Sequence, residues 1–148
     1  MSPKTRSLVA TLLLVVAVLF LLRDHALIAR TPVGIALQAL AVVLMLWARL
    51  TFGMRSFHAT ANPTEGGLVT AGPYRFWRHP IYAAVLLFVW SGVLAHGVAS
   101  TSMDLVLGAF ATLMTAVRIQ AEEQLLRASM PEYVAYAART KRLIPFVF

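Results

Sequence analysis

The sequence predicts an all-α, polytopic integral membrane protein, and three observations carry that expectation. Hydrophobic residues make up 59% of the 148 and charged residues only 13%, far from the composition of a soluble domain. Four apolar runs, about 8–22, 33–50, 81–95 and 103–121, approach the ~17–25 residues that a membrane span requires. Four such runs in so short a chain leave no soluble surface. The third observation is the distribution of the net charge of +7. With four spans, Lys4, Arg6, Arg49, Arg55, Arg75, Arg78, Arg118, Arg127, Arg139, Lys141 and Arg142 fall on one side, and only Arg23 and Arg30 on the other. Basic loops mark the cytoplasmic face, so both termini and the 51–80 loop are expected in the cytoplasm. The basicity reports topology rather than a nucleic-acid partner.

The elements follow in order within one expected membrane domain, 1–148, with two spans in 1–50 and a distinct half in 51–148. The first run follows Lys4 and Arg6 as a signal peptide would. Leu21, Leu22 and Arg23 replace the small-residue cleavage pattern, so the sequence reads as a retained span. The first and third runs are short at their apolar centres and need tilt or snorkelling ends. Between the second and third spans, Asn62-Pro63, Gly66-Gly67 and Gly72-Pro73 punctuate a loop. Its length is that of functional or disordered loops, and Phe52, Phe57, Tyr74, Phe76 and Trp77 favour a folded lid. Pro80 suits the first turn of the third span and pushes His79 towards extended backbone. After the fourth span the helix is expected to continue through Leu126. Ser129-Met130-Pro131-Glu132 reads as a capping box opening an amphipathic C-terminal helix. There Tyr133, Tyr136, Ala137 and Thr140 share one face, and Arg139, Lys141 and Arg142 suit anionic headgroups.

Two clusters carry the chemistry. In Arg78-His79-Pro80-Ile81-Tyr82, a helix N-terminus stands beside an arginine, a site for a carboxylate or phosphate. An isolated Arg-His pair at an interface would merely snorkel and fill space. Tyr74 and Tyr82 offer flat surfaces for a ring. Glu122 and Glu123 oppose the helix dipole near the end of the fourth span. They are either solvated beyond the bilayer or paired with a cation. Arg118 lies one turn earlier on the face of Glu122, deep in an apolar run, and an ionisable residue there is a functional candidate by default. With no cysteine, there is no disulfide, thiol nucleophile or Cys-ligated metal. His25, His58 and His96 lack metal-ligand spacing, and no glycine-rich nucleotide loop is present. Neither a metal nor a nucleic-acid partner is therefore expected.

Together these residues resemble the isoprenylcysteine carboxyl methyltransferase and phospholipid methyltransferase superfamily. The resemblance rests on Leu68-Val69, Gly72-Pro73-Tyr74, Arg78-His79-Pro80, Tyr82, Glu122-Glu123, Tyr133, Tyr136 and Ile144-Pro145, and runs from about residue 66 to 148. It implies a membrane enzyme using S-adenosylmethionine, with 51–148 as its catalytic half. Gly66, Gly67, Leu68, Val69, Tyr74, Arg78, His79, Pro80, Ile81, Tyr82 and one or both of Glu122 and Glu123 would bind the cofactor. Arg118 falls where carboxyl methyltransferases of the family place a substrate-contacting arginine, and Arg118, Glu122 and Glu123 form the expected catalytic set. The acceptor would be lipid-like or prenylated and reach the site from the bilayer. Carboxylate methylation, which needs no general base, is favoured over amine methylation, in which a glutamate would act as base. Met130-Pro131 stands where the family often has Phe-Gly, and Gly66 where it often has His. A nicotinamide-dependent membrane reductase, which shares a related C-terminal layout, and a non-catalytic lipid-binding partner are the alternatives.

Overall fold

Three of the helices open on a proline, whose fixed φ suits the first turn and whose missing N–H has no helical acceptor to lose. The structure is a computed structural model and describes residues 1–53, 67–96 and 102–143. The proline-led helices are α1 (Pro3–Arg23), α2 (Pro32–Phe52) and α3 (Pro80–Ala95); α4 (Ser102–Ser129) and α5 (Glu132–Arg139) follow. Ser2 and Thr31 cap α1 and α2, accepting the Thr5 and Gly34 amides at 3.2 Å, which satisfies N–H groups the helices leave unpaired. His79 precedes Pro80 with φ −127°, outside the helix as expected.

By length and composition α1, α2 and α4 can each cross a membrane, and the chain is an integral membrane protein. α3 is apolar but has 16 residues. At 1.5 Å per residue it spans about 24 Å, less than the ~30 Å hydrocarbon layer. The four expected apolar runs thus become three candidate spans and one shorter helix. Large apolar side chains such as Leu12, Leu19, Val43, Leu46 and Leu113 point outward, the expected surface of a body solvated by lipid.

α1 packs on α4 and α2 on α3. α2 and α3 are antiparallel, Gly34 at the start of α2 meeting Ala95 at the end of α3, and between α1 and α4 Thr11 meets Arg118. The α1–α2 turn is tied down by Gln38 of α2. Its amide nitrogen donates to the Leu27 carbonyl at 2.7 Å and the Phe88 carbonyl at 3.2 Å, and its oxygen accepts the Ala29 N–H at 3.1 Å. A buried amide inside an apolar helix therefore has a structural duty. Gly92 lets the turn settle on α3, because a Cβ there would collide with the Leu27 carbonyl. Leu21, Ala26, Leu27, Val89 and Val93 form the core at this end.

At the opposite end, residues 67–79 fold over the bundle. Gly72 has φ +55° with the Thr51 side chain pressed against it, so any other residue there would be both strained and crowded. It opens a 3₁₀ turn, Gly72–Arg75, that buries Tyr74 against Phe52, ring centroids 5.3 Å apart. This is the expected lid in part; its remainder, with Gly66, lies outside the described residues, as do Ile144 and Pro145.

The expected capping box does not form. Ser129 stays in the last turn of α4, its hydroxyl donating to the Leu125 carbonyl at 2.7 Å, and Pro131 takes the N-cap position of α5 without a side-chain cap. A hydroxyl in a continuing helix finds the carbonyl four residues back, and that local bond displaces the cap. The tyrosine face of α5 forms as expected: Tyr133 and Tyr136 are buried with Met130, beside Leu68, Leu126 and Ala137.

Candidate functional site

α4 outlasts the apolar run and carries Glu122 and Glu123 to the end of the bundle covered by residues 67–79. Adjacent residues on a helix point about 100° apart, and these two carboxylates have different neighbours.

Glu123 faces inward and is only 4% exposed. Its Oε1 accepts from Arg78 Nε at 3.0 Å and lies 3.4 Å from His79 Nε2; its Oε2 accepts from Arg142 at 3.2 Å, with Arg127 at 3.6 Å. Arg78 also donates through Nη1 to the carbonyls of Ala137 and Thr140, at 2.5 and 2.6 Å, at the C-terminal end of α5, where a cation is favoured. The following strap is held by backbone: Arg78 N–H donates to the Lys141 carbonyl at 2.7 Å, His79 N–H to the Arg142 carbonyl at 3.1 Å, and Lys141 N–H to the Phe76 carbonyl at 3.2 Å. The Tyr136 hydroxyl adds a 2.7 Å bond to the Tyr74 carbonyl. One carboxylate thus fastens the Arg-His-Pro segment, α4 and the tail together. Arg142 is drawn into this cluster rather than reaching out to headgroups.

Glu122 is half-buried and belongs to a different line. Its Oε2 accepts from the Tyr82 hydroxyl at 2.7 Å. The Tyr82 oxygen in turn accepts from Arg118 Nε at 2.5 Å, with the guanidinium 5.6 Å from the ring centroid. Arg118 Nη1 reaches across to the Thr11 hydroxyl of α1. The expected kinship of Arg118 and Glu122 is therefore relayed by Tyr82, whose part is a hydroxyl bridge as well as a flat surface. The His79 and Tyr82 rings lie 5.6 Å apart, so the two lines meet at the first turn of α3.

Of the residues singled out from sequence, the structure brings Tyr74, Arg78, His79, Pro80, Ile81, Tyr82, Arg118, Glu122 and Glu123 to this end of the bundle. Gly67, Leu68 and Val69 lie outside any helix, Leu68 packing beside Tyr133 and Tyr136. Sequence reasoning missed Thr11, although it is the lone polar residue between Ser7 and Arg23. It also missed Arg127, four residues after Glu123 in the spacing of a helical ion pair.

Tyr133 is 1% exposed, and its hydroxyl has no hydrogen-bond partner among the described residues; the Trp77 indole N–H is also buried and unpartnered. Buried polar groups nearly always have partners. The Tyr133 ring lies 5.8 Å from the Arg127 guanidinium and 6.0 Å from the Tyr136 ring. Burial pushes the Tyr136 hydroxyl up to about 12 and raises those of Tyr74 and Tyr133 well above the usual phenol value. All three are protonated donors at neutral pH.

Residues 32–128 match the model of the isoprenylcysteine carboxyl methyltransferase family. The chain belongs to that family. The matched segment takes in α2, α3, all but the last residue of α4 and both carboxylates, but not α1 or α5. Two curated relatives are each 36% identical. The cobalt-zinc-cadmium resistance protein CzcN of Cupriavidus metallidurans aligns over 72% of this chain and 45% of its own length. The nickel-cobalt-cadmium resistance protein NccN of Alcaligenes xylosoxydans xylosoxydans aligns over 76% and 48%. The chain spans about half the length of the curated relatives it matches. No solved structure gives a significant match.

Proposed function

We propose that the chain transfers a methyl group from S-adenosylmethionine to the polar head of a lipid-borne acceptor, with carboxylate O-methylation favoured. The observation that carries this reading is the Glu122–Tyr82–Arg118 line, a carboxylate and a guanidinium joined by one phenol at the mouth of an apolar helix pair. An apolar groove of about 260 Å³ is bounded by Val18, Met45, Leu46, Ala84, Val85 and Phe88, among others. Val85 of its lining lies three residues beyond Tyr82 on a neighbouring face of α3, and the chain of an acceptor whose head meets Arg118 would run along α3.

The residues present fit S-adenosylmethionine. Glu122 suits its amino group or ribose hydroxyls, and the Tyr133 hydroxyl would gain the partner it lacks. Glu123 and Arg78 are committed to each other and to the tail, and their role is to hold the walls of the site. When bound, S-adenosylmethionine supplies an electrophilic methyl on a sulfonium. The protein contributes alignment and exclusion of water. Arg118 holds the acceptor carboxylate by charge-assisted hydrogen bonds; that oxygen needs no deprotonation, so no side chain has to act as base. With an amine acceptor, Glu122 would be the group to take the proton. The site is proposed to face the cytosol, the side marked by the basic residues.

The test is transfer of radiolabelled methyl from S-adenosylmethionine into a lipid extract and into N-acetyl-S-farnesylcysteine, followed by mild base. Label that is released by base, as from an ester, supports the reading. Base-stable label points to an amine acceptor. Saturable binding of NADPH in place of S-adenosylmethionine would make the chain a reductase, and binding of neither would make it a non-catalytic partner.

A further inference from the structure

We propose that Thr11, on α1 and outside the family-matched segment, is a positioning residue that fixes the Arg118 guanidinium for its acceptor. The proposal rests on the reading of Arg118 given above. A threonine hydroxyl has one proton to donate and two lone pairs to accept with. Thr11 spends its proton on the Ser7 carbonyl, at 2.7 Å, so towards Arg118 Nη1 it can only accept. Tyr82 stands in the same relation. Its proton goes to Glu122 Oε2, and its oxygen accepts from Arg118 Nε.

Two oxygens of defined polarity therefore grip two edges of one guanidinium, one from α3 and one from α1. Tyr82 engages the guanidinium at Nε. A second acceptor 107 positions away in the chain fixes the plane, and a fixed plane is what fork-like recognition of a carboxylate needs. α1 is held against α4 along much of its length, so Thr11 is carried on a rigid element rather than a loop. The rest of α1 between Ser7 and Arg23 is apolar. The first helix is thus part of the acceptor site as well as a membrane anchor.

The experiment compares full-length wild type with Thr11→Val, which keeps the shape and removes the acceptor oxygen, and Thr11→Ser, which keeps the oxygen. N-acetyl-S-farnesylcysteine is the acceptor probe, and phenylglyoxal modification of Arg118, followed by peptide mass spectrometry, reads the guanidinium directly. Hydrogen bonds to charged groups are strong enough to predict a KM for the probe raised about 10–100-fold in Thr11→Val. S-adenosylmethionine binding should be unchanged, and Thr11→Ser should recover most of the loss. Arg118 should react faster with phenylglyoxal in Thr11→Val and at nearly the wild-type rate in Thr11→Ser. Equal Arg118 reactivity in wild type and Thr11→Val would overturn the proposal. If wild type methylates no probe, the functional reading fails, while the phenylglyoxal comparison still decides whether Thr11 holds Arg118. Should Thr11→Val not fold, Thr11→Ala carries the same comparison.

Discussion

Glu122 and Glu123 are neighbours in sequence with the same side chain, yet they do opposite things. Glu123 is enclosed by Arg78, His79, Arg127 and Arg142, and through Arg78 it locks the C-terminal strap. Glu122 meets one phenol, which hands it on to Arg118 and α1. A single step along α4 separates a fastening from the line proposed above as the ligand site. Carboxylates at the end of a span are therefore to be read by their partners rather than by their pairing in sequence.

The comparison breaks most easily at Glu123. Glu123→Gln leaves several cations around a neutral amide, and loss of one partner of a buried ion pair costs about 3–5 kcal/mol. A large fall in the thermal unfolding midpoint in detergent is expected, with loss of activity following loss of fold. An unchanged midpoint would mean that the cluster does not hold the tail. Arg118→Ala should behave in the opposite way. Its kcat/KM for a carboxylate probe is expected to drop about 10²–10³-fold, the scale of losing one oriented donor, with the midpoint little changed.

Tyr82→Phe sharpens the contrast within the Glu122 line, since it deletes only the relay oxygen. A stronger effect on acceptor KM than on unfolding is expected, about 10–100-fold, because the change removes hydrogen bonds to both Glu122 and Arg118. The smallest effect on fold belongs to Tyr133→Phe. Removing an unpartnered buried hydroxyl should leave the ligand-free protein as stable as before or slightly more so. Calorimetry should show S-adenosylmethionine binding weakened by about 5–100-fold. Unaltered affinity would remove Tyr133 from the site.

Much of this was legible in the sequence because its signals are local. Apolar run length gave the helices, Pro80 gave the start of α3 and the extended His79, and the position of Arg118 in an apolar run marked it as a functional candidate. The tyrosine face of α5 followed from helical spacing. What escaped depends on tertiary contact. Nothing near Glu123 in sequence tells that Arg78 and Arg142, distant in the chain, converge on it while Glu122 turns to Tyr82. Thr11 lies more than 100 positions from the arginine it holds. The capping box failed for a different reason: the Ser129 hydroxyl had a closer acceptor in its own helix. Arg142 read as a headgroup ligand because its carboxylate partner lies beyond the reach of any local pattern.

The central claim is that Glu122 belongs to the ligand site and Glu123 to the scaffold. Calorimetric titration of S-adenosylmethionine into wild type, Glu122→Gln and Glu123→Gln, each with its unfolding midpoint, tests it most directly. The expected result is saturable binding by wild type, weakened binding with an unchanged midpoint in Glu122→Gln, and a lowered midpoint in Glu123→Gln. Full affinity in Glu122→Gln, or weakened binding with an unchanged midpoint in Glu123→Gln, would contradict the account.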